Sequence, residues 1–405
     1  MKKICVVTAT RAEYGLLRRT IQEIENDTEL ELILVVTGTH LLEQYGYTIN
    51  EIEDDGFPIA EKIETIDEIN DEEDICRTMG RTAILFGEMY ARQKPDMLVV
   101  EGDRYELLPI CSSAMVFGIP IAHISGGEVT EGAVDDAVRH CITKMSYLHF
   151  PGCEEYRKRI IQLGEEPTRV FNYGDVGVEN VRKIEHIKKE KLENFLGISL
   201  EKPCVSVTFH PVTLEKNSAI QQVTELAEVL KEYKDLNFIV TMANADLQGG
   251  EINKVFQKYA DSNENIFCYP SLGIRRYLSL LKYVEFVIGN SSSGIVEVPC
   301  FGIPTINIGD RQKGRLRAES IIDCEPEREA IQKSIEKARS KEFRKIAKEA
   351  KNPYGDGDTS ACIVDTIKEF LINDKINLKK GFYDLQISGD EKDEEYCCNT
   401  GKKWI

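Results

Sequence analysis

Residues 284–315 read VEFVIGNSSSGIVEVPCFGIPTINIGDRQKGR, and this stretch decides the fold. An apolar run stops at Gly289 and Asn290, three serines and a glycine follow, and a second apolar run, PTINIG, comes after a short helical stretch. The pattern predicts a buried strand, a polar turn, a short helix and another strand, as in a parallel sheet. The polar turn has two interpretations. Ser and Asn are preferred helix N-cap residues, but a helix start also offers N–H groups and a positive dipole to a phosphate.

The same strand-and-helix unit recurs in two series along the chain. The first series contains KICVVTA, ELILVVTG, DMLVVEGD, IPIAHISGG and YLHFP, and the second contains CVSVTFHP, LNFIVTMAN, NIFCYPS, VEFVIGN and PTINIGD. Segments with helical periodicity, such as RAEYGLLRRTIQEIE, separate the strands. We therefore predict an α/β protein with two Rossmann-like domains and a cleft between them, joined by a polar hinge near residues 175–200.

The predicted domain boundaries follow from these two series. The N-terminal domain spans residues 1–175 and the C-terminal domain spans residues 176–359. A helix at about 360–373 is expected to pack back on the N-terminal domain. Residues 386–405 are polar and aperiodic, and we interpret them as a tail.

Composition excludes several classes of protein. The 405-residue chain has a net charge of −18 and a sequence pI near 5.0, which disfavours nucleic acid as a partner. It has no apolar run long enough to cross a bilayer, so we expect no membrane partner. Its 12 cysteines show neither CxxC pairs nor Cys/His zinc spacing, so we predict no metal site and a reduced, cytoplasmic setting.

Polar and charged residues collect where the predicted strands end. Because ligands of open α/β sheets bind beyond the carboxyl ends of the strands, we expect one site facing the cleft. The residues concerned are Arg11, Gly15, His40, Asp103, Glu128, His210, Asn244, Asp246, Ser291, Ser292, Ser293 and Arg311.

A diphosphate is the ligand that the serine stretch favours. The chain contains neither GxxxxGK[ST] nor GxGxxG, so it is neither an ordinary P-loop NTPase nor a simple dinucleotide enzyme. One strand later, GDRQKGR supplies Arg311, Lys313 and Arg315 to an otherwise acidic chain, and Arg11 follows the first strand. Glu297 has two interpretations, an acceptor for ribose hydroxyls or the capping-box acid at the third helical position.

Carboxylates at the other strand ends point to a reaction. Asp103 lies in EGDRYE, Glu128 in ISGGEVTEG, and Asp135 begins a predicted helix. Carboxylates near a phosphate are repulsive unless they serve acid–base work or stabilise a cation. His210 precedes Pro211, which favours an extended backbone at the end of its strand.

The motifs together resemble a known family. TATRAEYG, TGTHL, EGDRYE, ISGGE with DDAVRHCITKMS, TFHPVT, GNSSSGIVEVP, INIGDRQKGR and NPYGDG occur in order over residues 1 to about 385. In this the chain resembles the hydrolysing UDP-N-acetylglucosamine 2-epimerases of bacterial sialic-acid synthesis. Non-hydrolysing relatives carry a V-E-A-G type motif where this chain has ISGGE, which favours the hydrolysing branch.

The resemblance implies a fold, a reaction and residue roles. The fold is of the glycosyltransferase-B type, with the nucleotide on the C-terminal domain. The reaction eliminates UDP across C1–C2 of the sugar and then hydrates the intermediate to N-acetylmannosamine, without cofactor or metal. The nucleotide diphosphate would be bound by Arg11, Arg104, His210, Asn244, Ser292, Ser293, Glu297 and Arg311. Asp103, Glu128 and Asp135 would serve as acids, bases or cation stabilisers, and His210 as a phosphate-side acid.

Several alternatives stay open at this point. Which carboxylate takes the C2 proton is undecided. A sibling branch performs the same chemistry on UDP- or GDP-linked N,N′-diacetylbacillosamine for legionaminic acid. A glycosyltransferase and a non-catalytic sugar-nucleotide sensor are two further classes on the same fold. The expected partners are a nucleotide sugar and further copies of the chain, as a dimer or tetramer.

Overall fold

The computed structural model describes residues 1–66, 69, 71–131, 133–212, 218–243 and 248–385, which form two α/β lobes. Within these residues the strands are β1 (Lys2–Thr8), β2 (Leu30–Thr37), β3 (Ile59–Ile63), β4 (Met97–Glu101), β5 (Ile121–Ile124), β6 (Leu148–Phe150), β7 (Cys204–Thr208), β8 (Asn237–Thr241), β9 (Ile266–Tyr269), β10 (Val284–Gly289), β11 (Thr305–Ile308) and β12 (Ile321–Cys324). The α-helices are α1 (Arg11–Asn26), α2 (Ile49–Asp54), α3 (Glu72–Gln93), α4 (Leu107–Val116), α5 (Asp135–Met145), α6 (Glu154–Gln162), α7 (Val176–Lys183), α8 (Lys189–Leu196), α9 (Ala219–Leu230), α10 (Gly249–Ser262), α11 (Gly273–Leu280), α12 (Ser293–Val296), α13 (Arg328–Arg339), α14 (Lys341–Glu349) and α15 (Thr359–Ile372). Short 3-10 helices span Gly38–Leu41, Glu43–Tyr45, Pro167–Arg169 and Val298–Phe301.

The N-terminal sheet is parallel and buried on both faces. Its strand order is β3-β2-β1-β4-β5-β6. Alternate residues of β1 face opposite sides, as the strand period of two requires. Ile4 packs in the cluster that contains residues of α1 and α15, and Cys5 packs in the cluster that contains residues of α3 and α4. This two-sided burial explains the continuous apolar runs in the sequence.

The C-terminal sheet repeats the same topology. Its order is β12-β11-β10-β7-β8-β9, so β7, β8 and β9 correspond to β1, β2 and β3 of the other lobe. In each lobe the chain starts at a central strand, winds to one edge, and returns to the other side of that strand. The order reverses between β1 and β4 and between β7 and β10. Ligands of open α/β sheets bind at such reversal points.

Helices α7 and α15 tie the lobes together. Val176 of α7 packs in the core of the N-terminal lobe, whereas Val181 packs with residues of the C-terminal lobe. The segment predicted as a polar hinge therefore contains a largely buried helix. Ile363 and Ile367 of α15 lie in the core of the N-terminal lobe.

The fold class predicted from the sequence is confirmed, with two strands missed. All ten predicted strands form, while β3 and β12 were not predicted. Both are edge strands with partly exposed residues, so neither carries the continuous apolar run on which the prediction relied. Among the described residues, no helix has the length and apolar character needed to cross a membrane.

Candidate functional site

Loops that follow the strands at the two order reversals line a pair of adjoining cavities. The cavities enclose about 990 Å³ and 950 Å³ of space, including their open mouths. We call the first the acidic cavity; its own polar lining comprises Thr10, Glu13, Glu101, Asp103, Arg104, Ser125, Glu128, Thr130, Asp135, Arg139, Asp175, Gln312 and Arg315. We call the second the serine cavity; its own lining comprises Arg11, Gly15, Thr208, His210, Thr241, Met242, Leu272, Gly273, Ile274, Tyr277, Ser291 and Ser293. Both cavities are lined by Ala12, Leu16, Ser292, Glu297 and Arg311, so they share a wall.

The residues predicted from the sequence divide between these cavities. The predicted carboxylates Asp103, Glu128 and Asp135 line the acidic cavity together with Arg104. Most residues predicted to bind the nucleotide line the serine cavity or the shared wall: Arg11, Gly15, His210, Ser291, Ser292, Ser293, Glu297 and Arg311. Arg104, which was also predicted to bind the diphosphate, lines only the acidic cavity of the two. Asn244 and Asp246 lie outside the described residues.

The turn after β10 favours the anion interpretation over the cap. Ser292 is the N-cap of α12, but its side chain makes no capping hydrogen bond. The Ser293 hydroxyl lies 2.8 Å from the Tyr277 hydroxyl. Glu297 occupies the C-cap of this four-residue helix, so its interpretation as the capping-box acid is wrong. A capping-box acid stands three residues after the N-cap, a position that Ile295 occupies here.

Glycine is required where β10 ends. Gly289 has φ of +142°, and a Cβ there would lie 1.9 Å from the carbonyl oxygen of Thr208 on β7. Any other residue would force the two strands apart at the order reversal. The Gly-Asn pair that ends the apolar run is therefore a packing requirement of the site.

Asn290 organises the wall of the serine cavity, although it was not predicted as a site residue. It is 1% exposed, and its side chain bonds the backbone of His210 at the end of β7. Its own carbonyl oxygen accepts hydrogen bonds from Arg311 Nη1 at 3.2 Å and Gln312 Nε2 at 2.9 Å. Its position directly after a predicted strand was the available signal.

Two arginines hold the carboxylates of the acidic cavity. Arg139 of α5 donates to Asp103 and also to the carbonyl oxygen of Glu128, the latter at 3.1 Å. Arg315 Nη2 lies 2.5 Å from Glu128 Oε2, with side chains 9% and 4% exposed. Arg139 was not predicted as a site residue, and Arg315 was predicted only as positive charge for a phosphate, because each pairing joins distant parts of the sequence.

Burial raises the pKa values of acids in both cavities toward neutral pH. Burial raises the pKa of Glu128 to about 7, against the opposing charge of Arg315. Burial likewise raises the pKa of Glu297 to about 7, although a hydrogen bond from Ser293 opposes the shift. Carboxyl groups in this range can accept or release a proton near physiological pH.

Two further acids in the acidic cavity were also missed. Glu13 is the capping-box acid of α1; one carboxylate oxygen accepts from Ala9 N at 2.7 Å and from Thr10 N at 2.9 Å. Burial and the nearby Glu106 raise the pKa of Glu13 to about 7. Burial raises the pKa of Glu101 well above its ordinary value. The capping-box pattern in TATRAE was the available signal for Glu13.

Other candidates from the sequence lie elsewhere. Lys313 pairs with Glu131 at 3.7 Å on the exposed surface and lines neither cavity. His40 is buried between the hydroxyls of Thr8 and Thr48. A Cβ on Gly15 would lie 3.2 Å from Ile274, so this glycine also permits close approach of α1 and α11. Within the described part of the chain, no group of three or more His, Cys, Asp or Glu side chains is arranged to hold a metal ion.

Comparison with known proteins identifies relatives of the whole two-lobe unit. Residues 22–368 match the family UDP-N-acetylglucosamine 2-epimerase. The chain is 43% identical over 344 residues to the GDP/UDP-N,N′-diacetylbacillosamine 2-epimerase (hydrolyzing) of Campylobacter jejuni, covering 85% of this chain and 89% of the relative. It is 39% identical to the polysialic acid biosynthesis protein P7 of Escherichia coli, covering 95% and 98% of the two chains. Its fold matches the crystal structure of UDP-GlcNAc 2-epimerase from Neisseria meningitidis bound to UDP-GlcNAc, with a TM-score of 0.77, 18% identity, and coverage of 91% and 100%.

Proposed function

The chain belongs to the UDP-N-acetylglucosamine 2-epimerase family, and from this premise we propose that it is a hydrolysing 2-epimerase. It converts UDP-N-acetylglucosamine and water to N-acetylmannosamine and UDP, for the synthesis of sialic-type (nonulosonic) acids. The observation that carries the proposal is the shared wall of Ser292, Glu297 and Arg311 between the two cavities. A diphosphate held at this wall would present its sugar to the carboxylates of the acidic cavity.

The serine cavity supplies the groups that a departing diphosphate requires. Hydroxyls of Ser292 and Ser293 donate hydrogen bonds, and Arg11 and Arg311 supply positive charge. These groups stabilise the negative charge that grows on the phosphate oxygen as the C1–O bond breaks. His210 lines the same cavity, and in this proposal it donates a proton to that oxygen.

The acidic cavity supplies the groups for elimination and hydration. A carboxylate among Asp103, Glu128 and Asp135 removes the C2 proton, the C–H electrons form the C1–C2 double bond, and the C1–O electrons leave with UDP. Water then adds to C1, losing a proton to a carboxylate, and a proton returns to C2 from the opposite face. The remaining carboxylates stabilise the positive charge that develops at C1.

A second substrate has specific support. The relative from Campylobacter jejuni, 43% identical, is named for GDP- or UDP-linked N,N′-diacetylbacillosamine. The chemistry at C1 and C2 is the same for that sugar. The difference lies in the groups at C4 and C6 and in the base.

The deciding experiment is turnover in heavy water. UDP-N-acetylglucosamine and the UDP- and GDP-linked diacetylbacillosamines are offered separately, and the released sugar is identified by NMR. We expect a free 2-epimeric sugar that carries deuterium at C2, released without any acceptor. Release only when an acceptor is present would indicate a glycosyltransferase, and binding without turnover would indicate a sensor. Light scattering of the same sample tests the proposed dimer or tetramer.

A further inference from the structure

The loop between β11 and β12 extends from the C-terminal lobe into the acidic cavity. Its backbone is fixed at two points by the N-terminal lobe and the segment before α15. Lys313 O accepts from Glu131 N at 3.1 Å. Leu316 N donates to the Tyr156 hydroxyl at 3.1 Å, and Leu316 O accepts from the Tyr354 hydroxyl at 2.9 Å.

Arg315 lies between these two anchors and points at Glu128. The Arg315 and Glu128 side chains are 9% and 4% exposed, so their ion pair is shielded from water. Arg315 Nε is also buried, and it has no hydrogen-bond partner among the residues that the structure describes. A buried carboxylate without a cation carries a large desolvation cost, so Glu128 depends for its charge mainly on Arg315 of the other lobe, with a smaller contribution from Arg159.

We propose that Arg315 is a positioning residue, which reaches across the cleft to orient the Glu128 carboxylate and keep it ionised for the sugar. This inference rests on the proposed function, and it adds that the acidic cavity is complete only when the loop of residues 309–320 is docked. The reaction needs an ionised carboxylate to take up a proton or to stabilise positive charge at C1. Arg315 therefore acts through Glu128, without itself touching the reacting atoms.

The surroundings of Glu128 determine the direction of the pH effect. The other titratable or charged groups near its carboxylate are Arg159, Glu101, Asp175, Cys153, Tyr156 and Tyr354. Burial raises the pKa of Glu128 to about 7, and Arg315 is the strongest of the charges that oppose this rise. Loss of Arg315 moves that pKa upward, so the ionised form then requires a higher pH.

The test compares Arg315→Gln with Arg315→Lys in the full chain. For Arg315→Gln we expect the acidic limb of kcat against pH to move up by about one unit, the lower end of what an adjacent charge causes. The loss in kcat is then roughly sixfold greater at pH 6.5 than at pH 8.5. Arg315→Lys should return the acidic limb part of the way to its position in the unsubstituted enzyme. The matched control is Lys313→Gln, which removes a charge from the same loop outside the cavities and should leave the limb in place.

A double variant separates this role from direct substrate binding. In the Glu128→Gln background, Arg315→Gln should change kcat by less than about twofold, because its target is gone. A loss of equal size at every pH, or a full additive loss in the Glu128→Gln background, would overturn the proposal.

Thermal unfolding without substrate gives a readout independent of turnover. Because the pKa of Glu128 is raised in the folded protein, stability declines as pH rises toward that pKa. In Arg315→Gln this decline should continue to a higher pH, and the difference should vanish when Glu128 is also Gln. If the unsubstituted chain turns over no nucleotide sugar, the proposed function fails. The unfolding curves still decide whether Arg315 sets the charge of Glu128, and coincident curves would contradict that.

Discussion

Asn290 holds both backbone polar groups of His210. Its Oδ1 accepts from His210 N at 2.7 Å, and its Nδ2 donates to His210 O at 2.8 Å. This pair of bonds joins the chain just after β7 to the chain just after β10, the two strands that flank the order reversal of the C-terminal lobe. One buried amide therefore fixes His210, while its own carbonyl oxygen anchors Arg311.

Asn290→Ala should weaken UDP binding as well as stability. The substitution leaves the N–H and C=O of His210 without their partners, which costs about 2–3 kcal/mol of unfolding free energy. Because His210 and Arg311 then lose their fixed positions, we expect the Kd for UDP to rise at least about tenfold. Calorimetric titration with UDP and chemical unfolding measure the two effects.

Asn307→Ala is the matched control for this prediction. Asn307 is similarly buried, at 2% exposure on β11, donates to Asp323 and lines neither cavity. It should destabilise the protein without changing UDP affinity. Equal UDP affinity in Asn290→Ala and the parent would contradict the role given to Asn290.

Glu13→Gln should change how stability depends on pH. The folded-state pKa of Glu13, about 7, lies above the ordinary value of 4.5, so the folded protein holds a proton there that the unfolded chain releases. The unfolding free energy therefore falls as pH rises between about 4.5 and 7. Glutamine keeps an oxygen for Ala9 N and Thr10 N but never ionises.

Relative to the parent, the variant should gain about 2–3 kcal/mol of unfolding free energy between pH 5 and pH 8. Denaturant unfolding at pH 5, 6.5 and 8 without ligand measures this difference. Glu25→Gln, on an exposed position of the same helix, should leave the pH slope unchanged. A constant offset between Glu13→Gln and the parent at all three pH values would refute the assignment.

The sequence predicted what depends on local pattern. Buried strands such as β10 are continuous apolar runs, and the residues that follow them must lie at the carboxyl edge of a parallel sheet, as Ser292 does. The capping-box interpretation of Glu297 required an N-cap at residue 294, whereas the helix is capped at Ser292, two residues earlier, which puts Glu297 at its C-cap. Local sequence does not fix the start of a short helix to within two residues.

The missed site residues depend on contacts between distant segments. Arg315 and Glu128 lie on different lobes, and their pairing follows only from how the lobes pack. In the sequence, Arg139 is indistinguishable from an ordinary surface arginine of a helix. Its role follows only from the packing of α5 beside the loop of Asp103. Burial, which raises the pKa of Glu101, is likewise a property of the folded lobe.

Lys380→Met should loosen the segment that follows α15. Lys380 Nζ lies 3.0 Å from both carboxylate oxygens of Glu165, whose side chain is fully buried and also accepts from His149 and Lys144. Removing one partner of such a buried pair costs about 3 kcal/mol. Chemical unfolding measures the loss, and limited proteolysis should cut residues 375–385 faster.

Lys375→Met controls for charge loss in that segment. Its ion pair with Glu369 is exposed, at 45% and 55%, so its removal should cost less than about 1 kcal/mol. If both variants unfold at the same denaturant concentration as the parent, the buried network does not hold the segment.

Replacing Ser292 and Ser293 by Ala should lower turnover in addition to affinity. Both hydroxyls line the serine cavity, and Ser292 also lines the wall shared with the acidic cavity. If they stabilise charge on a departing diphosphate, their interaction grows as the C1–O bond breaks, so kcat falls by about 10- to 100-fold for the pair. Steady-state kinetics together with UDP titration separates this loss from weaker binding.

Ser340→Ala is the control for loss of a serine hydroxyl. It removes the capping bond to Phe343 N at 3.2 Å in α14, so it should cost about 1 kcal/mol of stability and leave kcat and KM unchanged. A double variant with parental kcat and only a raised KM would mean that the serines hold the nucleotide without assisting its departure.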